Sequence, residues 1–246
     1  LAIPFTTIDG ALGFVVAARR SRRRTAYCLE LFDDGALAIT ASSSRTPWPA
    51  EAAAMVYLED DAGNEDGLDD ALAHWLELAE ENGAITSDVR AYQGPGDLRE
   101  ARVMRHSVPA TMNERGAAFR SAGGRKVSTD WAVPFELLGE ALRESAAAID
   151  RHGAPQPITY GHAGNGHPHQ NFIGEDADAL TRIHGAIEDT LKHVISMGGT
   201  VSAEHGLGKL KREWLTLQLQ PRQIAMMRAM KTVLDPTGIL SPGNIL

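Results

Sequence analysis

The order of polar and apolar positions along this chain predicts alternating strands and helices. Short runs of β-branched and aromatic residues place strands near 26–33, 53–60, 85–92, 128–134, 156–162, 168–174 and 199–203. Between them, apolar residues recurring every three or four positions place helices near 6–20, 66–82, 96–107, 134–151, 176–197, 206–218 and 221–234. The stripe Asp69, Leu72, Trp75, Leu76 and Ala79, closed by Gly83, reads as core packing rather than as a cofactor contact. Pro134 suits the first turn of a helix, and Pro236 after Asp235 stops the last one. Two successive strand–helix–strand sets predict an α+β fold in which ferredoxin-like halves share an antiparallel sheet with helices packed on one face. The sequence itself shows no repeat.

With 246 residues, 43% of them hydrophobic, the chain can bury a sizeable core as one large domain or two small lobes. A formal charge of −8 excludes a general nucleic-acid surface, which needs a basic face. The exception is RRSRRR at 19–24, which reads as a solvated basic turn and alternatively as a contact for an acidic partner, an anionic lipid or a missing domain. No apolar run is long enough to cross a bilayer, and no signal-peptide pattern opens the chain. A single Cys28 excludes an intrachain disulfide, so a reducing cytoplasm is the default compartment. A larger assembly peripheral to a membrane is compatible with that.

Chemistry concentrates in the C-terminal third. Seven of the nine histidines fall between His152 and His205. In TYGHAGNGHPHQNF at 159–172, turn residues separate two extended runs, which predicts a β-hairpin with His162 and His169 at facing strand ends. Cross-strand partners hold their Cβ atoms roughly 4.5–5.5 Å apart, close enough for two imidazoles to meet on one ion. In GGTVSAEHGLGKLKREWL at 198–215, Glu204 and His205 sit where glycines turn the chain from a short strand towards a helix. Two neutral imidazoles and one carboxylate, from His162, His169 and Glu204, form a three-ligand set with an open position, as in a catalytic zinc site.

Each residue also has an ordinary explanation. Histidines beside glycine turns are commonly solvated, and a Glu-His pair at a helix start is commonly just favoured by the helix dipole. The coincidence of several spacings favours the site. GLGK at 206–209 lacks the spacing of a phosphate-binding loop, GHAGNG lacks a dinucleotide-binding register, and no nucleophile elbow surrounds Ser202.

The same strings carry a resemblance. GHAGNGHPHQN resembles the GHxGDGNxHxN signature, and GGTVSAEHGLG the GGxxSxEHGxG signature, of the FAD-linked oxidase C-terminal domain in the vanillyl-alcohol oxidase superfamily. The closing KTVLDPTGILSPGNIL is similar to that family's LDPxGILNPGKIL. Upstream, LELFD at 29–33, AAMVYLEDDAG at 53–63, LREARVMRHSVP at 98–109 and STDWAVPFELL at 128–138 resemble family strands and helices more loosely. The family includes D-lactate and D-2-hydroxyglutarate dehydrogenases and the flavin subunit of glycolate oxidase.

The resemblance implies a substrate and cap domain spanning 1–246, with FAD held mainly by a separate N-terminal domain of the PCMH type that this chain lacks. It implies zinc or another divalent ion on His162, His169 and Glu204, with His205 as the base beside the flavin. It further implies Arg105 and Asn171 as ligands of a small 2-hydroxy acid. The chain departs from the family at Asn165, at His167, at Arg102 and His106, and at Pro109. His167 is thereby a competing ligand or a pocket wall, and the particular acid is not inherited. Two further readings remain: a flavin-independent metal hydrolase using the same three ligands, and a noncatalytic binding or subunit module.

Overall fold

Near-continuous apolar runs such as AMVYL need cover on both sides, and here they receive it. The computed structural model describes residues 1–42, 46–61, 63 and 65–245, excluding the side chains of Glu65 and Asp66. Ala62 and Leu246, which belong to two of the family-like strings, lie outside the described residues.

The first half runs β1 (Ala2–Phe5), α1 (Ile8–Arg20), β2 (Cys28–Asp33), α2 (Asp34–Ala41), β3 (Ala54–Glu59) and α3 (Glu65–Glu81). A long helix α4 (Gly94–Ala118) leads to the second half, β4 (Arg125–Ser128), α5 (Leu138–His152), β5 (Ile158–Gly161), β6 (His169–Gly174) and α6 (Ala177–Ser196). A short α7 (Leu215–Gln218) and α8 (Pro221–Leu234) follow. All pairings in the six-stranded sheet are antiparallel, in the order β1-β3-β2-β5-β6-β4. Each half therefore places its third strand between its first two, and the halves meet at β2 and β5. This is the expected α+β arrangement of ferredoxin-like halves on one antiparallel sheet.

Alternation along the strands divides the core. Ile3, Phe5, Leu29, Leu31, Val56, Leu58 and Phe172 pack against α1, α3, α5 and α6, the expected helical layer. Phe32, Met55 and Tyr57 point the other way, against α2 and α4. This second, smaller layer is an addition to the one-face expectation, and it matters because the pocket described below opens beside α4.

Several boundaries differ from expectation for identifiable reasons. β1 has four fully covered residues and so shows no alternation to read. The segment expected as a strand at 85–92 makes only isolated bridges, Ala84 with Phe5 and Arg90 with Ala2, around a 3-10 turn. The helix expected at 96–107 continues to Ala118 through Pro109, whose missing N–H leaves the Arg105 carbonyl without its usual partner. Buried Ala71, Trp75 and Ala79 form the α3 stripe, while Asp69 is exposed. Pro134 precedes a 3-10 turn at Phe135–Leu137 rather than the helix itself.

The basic run at 19–24 is exposed at Arg19, Arg20, Arg22 and Arg23, as expected of a solvated turn, and several of its side chains are also paired. Arg24 binds Asp60 at 2.5 Å, Arg23 pairs with Asp70, Arg20 reaches Glu136 at 3.3 Å, and Ser21 meets His74 at 2.9 Å. Trp75 donates to the same Asp60 carboxylate at 2.8 Å. The exposed pairs contribute little each, because water screens them. Burial of the Trp75 ring is the larger stabilising term.

The seam between halves is narrow, with register pairs Leu31–Gly161 and Phe32–Tyr160. Asp33 extends it with its side chain, accepting the Thr159 N–H at 2.5 Å and capping α2 through the Ala36 N–H at 2.8 Å. Burial pushes this carboxyl up to about 6 despite those two bonds. Asp33→Ala removes the cap and strands the Thr159 N–H. Urea unfolding at pH 7 is expected to show a loss of about 2–4 kcal/mol.

Candidate active site

The expected hairpin is present, but His162 lies just past the end of β5 rather than facing His169 across the ladder. Tyr160 pairs with His169 across β5 and β6, and a 3-10 turn at Ala163–Asn165 follows His162. Glycine is required twice. Gly161 has φ +118°, and a Cβ there would stand 2.8 Å from Cδ2 of His169. Gly166 has φ +67°, and its Cβ would run into the Val133 carbonyl.

The second segment does not form the strand and helix expected at 199–203 and 206–218. Thr200 makes one bridge to Ala132, and beyond the glycine turns only Arg212–Trp214 and α7 are helical. A buried side chain takes over from the missing ladder. Asp130, with no side-chain exposure, accepts from Ser202 Oγ at 2.5 Å, the His205 N–H at 3.0 Å and the Glu204 N–H at 3.4 Å. Its own carbonyl accepts the Ala203 N–H at 2.7 Å. The carboxylate also meets His167 Nε2 at 3.1 Å and His205 Nδ1 at 3.3 Å. Burial alone pushes this carboxyl up. The bonds from Ser202, His205 and Glu204, with Lys211 nearby, outweigh it and hold the group below the usual carboxylate range.

Glu204 is thus carried to the hairpin. Its Oε1 lies 3.4 Å from His162 Nε2, 3.2 Å from His169 Nε2 and 3.3 Å from His205 Nε2. Potential ligand atoms of His162, His167, His169 and Glu204 lie within 4.8 Å of one another, and so do those of Asp130, His169, Glu204 and His205. Of these, His162, His169 and Glu204 could hold a cation, while Asp130 and His167 are already bonded to each other. Burial, and then the neighbouring His167 and His162, push His169 down to about 4, so at neutral pH the ring is uncharged and one of its nitrogens keeps a lone pair that could bind a metal. His162 moves upward, first through its 2.9 Å hydrogen bond to Glu30.

A pocket of about 320 Å³ opens beside this cluster. Arg105, Lys126 and His106 supply cationic or basic walls, while Phe32, Pro109 and Tyr160 supply apolar ones. Arg105 is held by Glu30 at 2.8 Å and Glu59 at 3.2 Å. Burial pushes Lys126 down, and among the described residues no carboxylate pairs with it. Asn171 is buried in the same wall. Its Oδ1 accepts from Ser128 Oγ at 2.6 Å, whereas Nδ2 makes no hydrogen bond, with the Tyr160 hydroxyl close by. A buried unpaired amide donor costs about 1–3 kcal/mol unless a ligand accepts from it.

Comparison with known families decides what these residues belong to. The model of the C-terminal domain of FAD-linked oxidases matches residues 1–245. The chain belongs to that family. It is 29% identical to D-2-hydroxyglutarate dehydrogenase of Stutzerimonas stutzeri over 229 residues, which cover 88% of this chain and 46% of the relative. It is also 29% identical to D-lactate dehydrogenase of Archaeoglobus fulgidus over 250 residues, covering 100% of this chain and 51% of the relative. Glycolate oxidase subunit GlcD of Bacillus subtilis matches at 35% identity over 89 residues, 35% of this chain and 19% of that protein. The FAD-linked oxidase domain here spans about half the length of the first two relatives.

All six site residues expected from sequence, His162, His169, Glu204, His205, Arg105 and Asn171, lie in this cluster or its pocket. Three others were not expected: Glu30, Asp130 and Lys126. Glu30 had a signal, since a carboxylate inside the apolar strand LELF needs a partner. Asp130 and Lys126 had none, because their surroundings come from distant segments.

Two outcomes follow from this geometry. Asp130→Ala releases the 202–205 turn and is expected to cost about 3–5 kcal/mol in urea unfolding, as when one member of a buried charged network is removed. For His169, folding in chelator disfavours the proton. The unfolded side chain takes it up below about 6.5 and the folded one below about 4, so stability is lost as pH falls across that window. His169→Gln abolishes this loss, and its stability relative to wild type is expected to improve by about 1–2 kcal/mol between pH 7 and pH 5.

Proposed function

We propose that this chain is the substrate-binding and catalytic half of an FAD-linked enzyme that oxidises a small 2-hydroxy acid to the 2-oxo acid. FAD is held mainly by a flavin-binding domain or subunit, and a divalent cation, with zinc best suited to the donors, sits on His162, His169 and Glu204. The observation that carries the reading is the convergence of these ligand atoms at a pocket with cationic walls and an unpartnered amide donor. The names of the relatives, D-2-hydroxyglutarate and D-lactate dehydrogenase among them, support the substrate class.

When bound, the cation supplies electrostatic polarisation of the substrate hydroxyl, and the flavin supplies an acceptor for the hydride. The remaining roles fall to side chains. Arg105 and the Asn171 Nδ2 hold the carboxylate, and Lys126 adds a second cationic contact. His205 takes the hydroxyl proton on Nε2; Asp130 faces its Nδ1 and Glu204 its Nε2, each at 3.3 Å. His205 is half exposed on the open side of the cluster, where a flavin held by another domain has room to approach.

Elemental analysis of the purified chain tests the metal assignment. Near-stoichiometric divalent metal in wild type, lost in His162→Ala, His169→Ala and Glu204→Ala, is the expected result. In the flavin-containing enzyme, His205→Ala should retain metal and lower kcat about 10²- to 10⁴-fold. Ester or amide turnover by this chain with zinc and no flavin would instead identify a hydrolase.

A further inference from the structure

Glu30 is a buried carboxylate whose Oε1 collects three donors: Arg105 Nη2 at 2.8 Å, His162 Nδ1 at 2.9 Å and Cys28 Sγ at 3.3 Å. It sits on β2 between Leu29 and Leu31, which face the opposite core layer. We infer that Glu30 is a positioning residue that ties the metal ligand His162 to the carboxylate-binding Arg105 through one shared oxygen. The inference rests on the roles proposed above for those two side chains.

An imidazole that donates from Nδ1 keeps a lone pair on Nε2. Here Nε2 is the nitrogen that faces Glu204, so the bond to Glu30 selects the tautomer a cation needs and fixes the ring plane. Neutralising Arg105 does not explain the contact, because Glu59 already pairs with the other guanidinium nitrogen at 3.2 Å. Burial pushes the Cys28 thiol up to about 12, which keeps it a third donor to Glu30 rather than a competing thiolate ligand. Occupancy of the cation site and the pose of the substrate carboxylate are thereby linked through a residue that touches neither.

The test compares wild type, Glu30→Gln and Glu30→Leu of this chain. Zinc affinity is measured by competition with a chromophoric chelator. The His162 tautomer and the rotation of the Arg105 guanidinium are followed by ¹⁵N NMR in the zinc-free protein. At a pH alkaline enough to leave the His162 ring neutral, wild type is expected to hold its single ring proton on Nδ1 and to restrain Arg105. Glu30→Leu should mix the tautomers, free the guanidinium and weaken zinc binding about 10- to 100-fold. Glu30→Gln keeps one acceptor oxygen and should fall between, which carries the comparison if the leucine variant does not fold. Zinc bound equally well by folded variants, or either side chain left unmoved, overturns the inference alone. No zinc bound by wild type overturns the metal assignment and this inference with it.

Discussion

The buried carboxylate of Asp130 is the constraint on which the site depends. Residues 202–205 lie on neither a helix nor a ladder, yet they carry a proposed ligand and the proposed base. Without regular structure their N–H groups need another acceptor, and Asp130 supplies it to two successive residues while its backbone serves a third. Such a carboxylate is unfavourable to bury alone and stable when its lone pairs are filled, so loop and anchor specify each other. The anchor stands just before the 131–133 segment that bonds the hairpin turn through Val133 and Gly166. One short stretch therefore registers both histidine-bearing segments.

Electrostatics around the cluster are divided by environment. His169 is deep and surrounded by other imidazoles, which keeps it neutral. His162 has Glu30 on one nitrogen and Glu204 near the other, which draws it towards the charged form. The pocket beyond is cationic despite the overall charge of −8. Net charge thus describes the outer surface, where most acidic residues lie, and says little about what the interior attracts.

Legibility in the sequence followed the locality of the interactions. The hairpin, α6 and α8 were readable because periodicity and turn residues within each segment determine them. The site residues were readable because the spacings and the resemblance of two compact strings pointed to them. β1 was hidden by its brevity, and the 199–203 strand was a false reading, since TVSA has strand propensity but its neighbour is the side chain of Asp130 rather than a full partner strand. Glu30 and Asp130 owe their roles to contacts over about 70 to 130 positions of sequence, beyond any local pattern.

The two halves of the sheet connect their second and third strands differently. Between β2 and β3 the connection contains α2, which packs under the sheet, whereas between β5 and β6 it is the tight turn that presents the histidines. The same topological slot is scaffold in one half and chemistry in the other. Such asymmetry has a physical consequence: with the β2–β3 connection committed to packing under the sheet, the β5–β6 connection carries no α-helix and can be short, rich in glycine and lined with reactive side chains.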